Sequence, residues 1–322
     1  MTRRDFIVLV GGFAASWPVA GLAQRRQPII GLLHSGSAQG FAASIDALRQ
    51  GLRDAGFVEG HNVTIEYRWA NGRRDALPEL AADLIRRNVD VIVANRIAAQ
   101  VAQAEATSVP IVFASGVDPI KARLVASLAR PGGNITGVSF ISLEAKKLEI
   151  LHELTPRNAV IAAFVNPSNA DIDTHFSELE TAAKILGRQI AIREIGDESE
   201  FEPACKACAL QGMTSLVVAG DSYFDDRRKA LVASVNRYSI ATIYSDRGSV
   251  EDGGLMSYGS DRRRAFRVVG NYAARIIAGA KPADLPVVQA RFVELVVNLK
   301  AAQALGLELP QALLDRADEL IG

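Results

Sequence analysis

From residue 28 onward the chain alternates short apolar runs with amphipathic stretches almost without interruption, and this rhythm limits what it can fold into. "PIIGLLHS" (28–35) is a continuous apolar run, as a strand buried on both faces should be. "FAASIDALRQGLRDAG" (41–56) follows with Ile45, Leu48 and Leu52 at helical spacing, and Gly56 suits the helix end. The same reading places strands at 62–70, 89–95 and 109–115, and helices at 75–88, 97–106 and 119–129. Beyond a glycine-rich stretch, "ARPGGNITG" (129–137), the pattern resumes with a helix at 142–154. Strands follow at 159–166, 189–195, 215–220 and 241–245, with helices between them. Such alternation implies parallel sheets with right-handed crossovers. Each block holds about five strands, enough for one doubly wound sheet, so an α/β fold of two similar lobes is expected.

The tail breaks the rhythm. "GGLMSYGSD" (253–261) reads as a strand, "RRRAFRVVGNYAARIIAGAK" (262–281) as a long helix and "FVELVVNL" (292–299) as another strand. "AAQALGLELPQALLDRADELI" reads as closing helices. One strand–helix–strand unit beyond two complete sheets would let the chain cross back to the first lobe and return. "ARPGGNITG" itself is not a phosphate loop, which would follow a strand and open a helix. Pro131 and Gly132 are expected to stop a helix, Gly133 and Asn134 to accept positive φ, and the crossing to lie at 137–140.

A chain of 322 residues, 49% of them apolar, is long enough for two domains with substantial cores. Lys+Arg and Asp+Glu each number 36. That balance argues against nucleic acid as a partner, since phosphate binding favours a basic excess. "TRRDFIVLVGGFAASWPVAGLAQ" has an Arg pair, an apolar run and a small-residue end, the layout of an export signal over residues 1–23. Arg3 and Arg4 followed by Phe6 resemble a twin-arginine signal. No Cys follows the apolar run, so the mature protein is expected free in the periplasm, as a monomer. No internal segment is long and apolar enough to span a bilayer.

Little suggests catalysis. His34, His61, His152 and His175 are scattered, with only His34 at a strand end. There is no GxSxG elbow, no Walker sequence and no GxGxxG, so neither catalytic residues nor a cofactor is expected. Clustered metal ligands are lacking too. Cys205 and Cys208 fall one turn apart inside a helical stretch and read as small buried residues rather than a redox pair.

Several long segments carry a family likeness in order: "SLARPGGNITGVSF", "GGLMSYGSD", "AGAKPADLPV", "FVELVVNLKAAQALGLELP" and "LLDRADELI". Over nearly the whole mature chain the sequence resembles the ABC-transporter substrate-binding family that includes tryptophan- and tyrosine-binding lipoproteins. The resemblance implies the type I periplasmic binding protein fold: two Rossmann-like, doubly wound parallel-sheet lobes joined by three crossovers. Lobe one would be 28–138 plus 260–291, and lobe two 139–259 plus 292–322. It also implies a small-molecule ligand in the interlobe cleft and an ABC permease in the inner membrane as partner; a sensory module presenting solute to a membrane receptor is the alternative. Two stretches depart from the family: "NRIA" at 95–98, where a "GTPA"-like stretch is usual, and "DRGSVEDGG" after "IYS".

In open parallel sheets ligands sit outside the carboxyl ends of strands. In lobe one those ends offer Ser35, Gly36 and Ser37, then Asn95, Arg96 and Ile97, then Ser115, Gly116, Val117 and Asp118. Ser139 and Phe140 lie just past the joint. In lobe two the ends offer Asn166, then Asp221, Ser222 and Tyr223, then Asp246 and Arg247. Serines and helix-start N–H groups can hold a carboxylate. Asp118 and Asp221 can hold an ammonium, and Tyr223 and Phe140 can wall an apolar part. The same Ser, Asn and Asp residues are equally good helix caps. Arg96 either clamps a carboxylate or serves as a rim charge or partner of Asp118, and "DRRR" (261–264) reads as a solvated helix face.

Overall fold

The apolar run after Pro28 forms an interior strand of the first sheet, where alternate residues face two different helical layers. The structure, a computed structural model, describes residues 26–105, 108–116, 118–140, 142–169 and 171–322. The expected export signal and Val117 lie outside the described residues. The first block runs β1 (Ile29–His34), α1 (Ala42–Asp54), β2 (Thr64–Trp69), α2 (Leu77–Arg86), β3 (Val91–Asn95), α3 (Arg96–Glu105), β4 (Ile111–Ser115) and β5 (Ile135–Phe140). The second runs α4 (Glu144–Leu154), β6 (Ile161–Val165), α5 (Ile172–Ile185), β7 (Ile190–Glu194), α6 (Phe201–Leu210), β8 (Ser215–Val218), α7 (Ser222–Asp226), α8 (Arg228–Arg237), β9 (Ala241–Tyr244), α9 (Arg247–Glu251) and β10 (Met256–Ser260). The tail adds α10 (Arg262–Ile277), β11 (Val288–Ala290), β12 (Val293–Asn298), α11 (Leu299–Ala304), α12 (Gln311–Leu314) and β13 (Glu319–Ile321).

Two sheets result. The first is ordered β11-β5-β4-β3-β1-β2 and is parallel throughout. Ile30, Leu32, Val91 and Val93 face α1 and α10, while Leu33, Ile92, Ala94 and Phe113 face α2 and α3. The second is ordered β13-β12-β10-β9-β8-β6-β7. Its faces are likewise split, with Ala163 and Ile243 under α4 and α5, and Phe164 and Val218 under α6 and α8. The chain passes between the sheets after β5, after β10 and after β11.

Several local expectations give way. Residues 119–129 form turns, not a helix: Leu124 N–H bonds Pro119 O, and Arg123 has φ 57°, which no α-helix contains. The following Gly132 and Gly133 take φ 73° and 65° before β5. Gly137 lies within β5, where a Cβ would stand 2.7 Å from the Phe113 backbone nitrogen. Ser139 and Phe140 pair with Gln289 and Ala290 in the first sheet, so β5 ends beyond residue 138. The second sheet is not wholly parallel: β12 returns from β11 and runs antiparallel to β10. The last residues form β13 beside β12 rather than closing in a helix. Cys205 and Cys208 are fully buried on α6, where burial pushes the Cys205 thiol up to about 12, so neither is poised as a thiolate.

Candidate functional site

The carboxyl ends of the two sheets face each other around a cavity of about 190 Å³. Strand–helix junctions supply its wall, because every parallel strand delivers its last residue to the same edge. From the first sheet come His34, Asn95, Arg96, Ile97, Gly116 and Phe140. From the second come Asn169, Asp171, Gly220, Asp221, Ser222, Ser245 and Ser260. Phe41, Phe266 and Tyr258 add aromatic surface, and Glu144 and Arg262 enter from helix starts next to the crossings. Among the described residues no cluster of His, Cys, Asp and Glu is arranged to hold a metal ion.

Of the residues expected at the site, Asn95, Arg96, Ile97, Gly116, Phe140, Asp221 and Ser222 line the cavity. The others are placed elsewhere. Ser35 accepts from Asn95 Nδ2 at 2.6 Å and thus holds Asn95 from behind. Gly36 donates to His34 Nδ1 at 2.9 Å, and Ser37 Oγ accepts from Gly40 N at 3.2 Å. Ser115 and Ser139 are buried and do not line the cavity. Asp118 is exposed and accepts from the Ile120 backbone at 2.8 Å, so Arg96 is not its partner. Asn166 accepts from Ser168 N at 2.9 Å, and Asp246 caps α9 through Gly248 N at 2.9 Å. Tyr223 turns into the core against Phe201 and Phe224, with the Arg227 guanidinium 4.3 Å above its ring. Arg247 ties α9 to the sheet edge, bonding Glu251 at 2.8 Å, Glu294 at 3.1 Å and Glu319 at 2.9 Å.

Arg262, expected on a solvated face, is in the wall. It is hydrogen-bonded to Asp225 of α7 and lies 3.5 Å from Asp246. Burial opposes its charge, but Asp225 and Asp246 outweigh it and hold the guanidinium above its ordinary range. A run of three arginines looked uniformly solvated; the register of α10, capped by Asp261, turns only the first inward. His34 is buried and its pKa falls to about 3, mainly through desolvation and secondarily through Arg262. Nδ1 of the ring already accepts the Gly36 N–H, which fixes the neutral form.

Glu144 and Lys147 lie one turn apart on α4 and form a buried ion pair at 2.8 Å beneath the floor. Lys147 also donates to Val218 O at 2.6 Å and to Ser245 Oγ, and Glu144 Oε1 accepts from Gly220 N at 3.0 Å. The network fixes the ends of β8 and β9 at the cavity. An i, i+3 Glu–Lys spacing is that of an ordinary surface bridge, so nothing in the spacing marks this pair as buried.

Asp171 and Arg96 approach from opposite lobes, with Nε 3.9 Å from Oδ2. The site therefore presents a guanidinium, a carboxylate and aromatic walls within one small volume, a set suited to binding a small polar solute.

A family described as ABC transporter substrate binding protein matches residues 30–321. A tyrosine-binding protein of Clostridioides difficile is 27% identical over 278 residues, covering 82% of this chain and 78% of that one. Among solved structures, a conserved domain protein from Vibrio cholerae superposes with TM-score 0.84 at 26% identity, covering 92% of this chain and 100% of that one. The ABC domain from Streptococcus pneumonia in complex with L-Trp superposes with TM-score 0.83 at 26% identity and the same coverage.

Proposed function

The chain belongs to the ABC transporter substrate-binding protein family, and we propose that it is the periplasmic capture component of an importer for one small carboxylated or zwitterionic solute, such as an amino acid or aromatic acid. It performs no chemistry on that solute. The observation that carries the reading is the interlobe cavity, in which Arg96 and Phe140 from one lobe face Asp171, Asp221 and Ser222 from the other. About 190 Å³ lies below the roughly 300–1,000 Å³ of sites for drug-sized ligands, which favours a solute of amino-acid size. The relatives named for tyrosine and solved with L-Trp support an aromatic amino acid as the first solute to test. Delivery of the solute falls to a separate permease, the partner that membership of an ABC transporter family implies.

Titration calorimetry with a panel of amino acids, aromatic acids and short peptides tests this. One member is expected to bind with 1:1 stoichiometry and to raise the melting temperature by mass action. Arg96→Ala should weaken a carboxylated ligand by about tenfold or more, the cost of one charge-assisted contact. Absence of binding across the panel, or an unchanged affinity in the variant, would reject the ligand class or the clamp respectively.

A further inference from the structure

Asp171 stands at the N-cap of α5, yet its side chain accepts no capping hydrogen bond. Asp221, Asp246 and Asp261, at equivalent positions of α7, α9 and α10, all do. Asp171 instead lines the cavity, with Oδ2 buried and without a hydrogen-bond partner among the described residues. Its nearest cation, Arg96, is 3.9 Å away, beyond the roughly 2.7–2.9 Å of a charge-assisted hydrogen bond. Arg96 is itself underused: its side chain is 12% exposed, and its one side-chain hydrogen bond among the described residues reaches Gln100 at 3.4 Å. The remaining carboxylates of the wall are engaged, Glu144 by Lys147, Asp225 by Arg262 and Asp221 by its cap.

A buried carboxylate oxygen without a donor is costly, and so is a guanidinium short of acceptors. A solute that carries a carboxylate and an ammonium on one carbon satisfies both at once: its anion meets Arg96 and its cation meets Asp171. Resting on the solute-capture reading above, we infer that Arg96 and Asp171 together read the head group of an α-amino acid, with Asp171 the residue that demands the amine. The side chain of the solute then lies toward Phe41, Phe140 and Phe266.

The test uses the intact mature chain and two sets of probes. One set is L-tyrosine, its des-amino acid 3-(4-hydroxyphenyl)propanoate and its decarboxylated amine tyramine; the other is the corresponding tryptophan series. The wild type should bind an amino acid at least about tenfold tighter than either of its analogues. Asp171→Asn should bring the amino acid down to the affinity of its des-amino acid while leaving the latter unchanged. Arg96→Gln should weaken both acids and spare the amine. Equal binding of amino acid and des-amino acid by the wild type overturns the inference without any variant, as does an Asp171→Asn change that weakens both equally. A wild type that binds the des-amino acid alone removes the head-group reading and leaves solute capture standing. If none of the six probes binds, the head-group reading of an aromatic amino acid is overturned, while the full calorimetric panel decides the wider ligand class.

Discussion

Gly36 donates its backbone N–H to His34 Nδ1, so protonating that ring would break a hydrogen bond as well as place a charge in a buried site beside Arg262. The consequence for stability has a definite sign. The folded pKa of about 3 lies below the ordinary value of 6.5, so between those limits the unfolded chain binds a proton that the folded chain refuses. Stability should therefore fall as pH drops from 6.5 toward 3, with His34 contributing up to about 1.4 kcal/mol per pH unit. Urea unfolding at several pH values should show that slope flattened in His34→Asn; an unchanged slope would deny the buried neutral imidazole. At this scale the sequence revealed which positions reach the strand ends, but not the direction of each side chain. Asp118, Asp246 and Asn166 satisfy local backbone donors, as their residue types allow. Arg262 and Asp171 are drawn into the wall by helix register, which composition does not encode.

Among elements, α1 and α10 meet more closely than ordinary side chains permit. A Cβ at Gly270 would stand 3.0 Å from the Leu48 carbonyl carbon, and one at Gly51 would stand 2.8 Å from that of Arg267. Each helix thus carries a glycine where the other's backbone passes, and α10, coming from the second sheet, docks on the first. Gly270→Ala should destabilise by about 1–3 kcal/mol in denaturant unfolding, through forced separation of the helices. A neutral or stabilising effect, as helix propensity alone would give, would contradict the close crossing. Periodicity made the buried strands and most helices legible because parallel strands covered on two faces are apolar throughout. It misread 119–129, where Ala and Leu residues mimic a helix but Arg123 takes positive φ, and it missed β13, a short edge strand held by pairing with β12.

For the whole molecule, the two lobes meet through contacts outside the cavity as well as around it. Asp226 of α7 rests against the loop between β1 and α1, where a Cβ on Gly40 would overlap its carboxylate and approach its Cα to 3.1 Å. Gly40 lines no part of the cavity, so its role in binding can only be through the approach of the lobes. The two-lobe plan could be read from the alternating pattern, but this seat could not, because it joins residues from different sheets. If solute capture is a population shift toward lobes in contact, Gly40→Ala should weaken the solute without removing any contact to it. The most direct measurement is single-molecule energy transfer between one dye on each lobe, titrated with the tightest solute from the calorimetric panel. Saturating solute should move the wild type to a high-transfer state with the calorimetric midpoint, and Gly40→Ala should need more solute to reach it. A transfer efficiency that stays fixed while calorimetry shows full binding would contradict capture between the lobes.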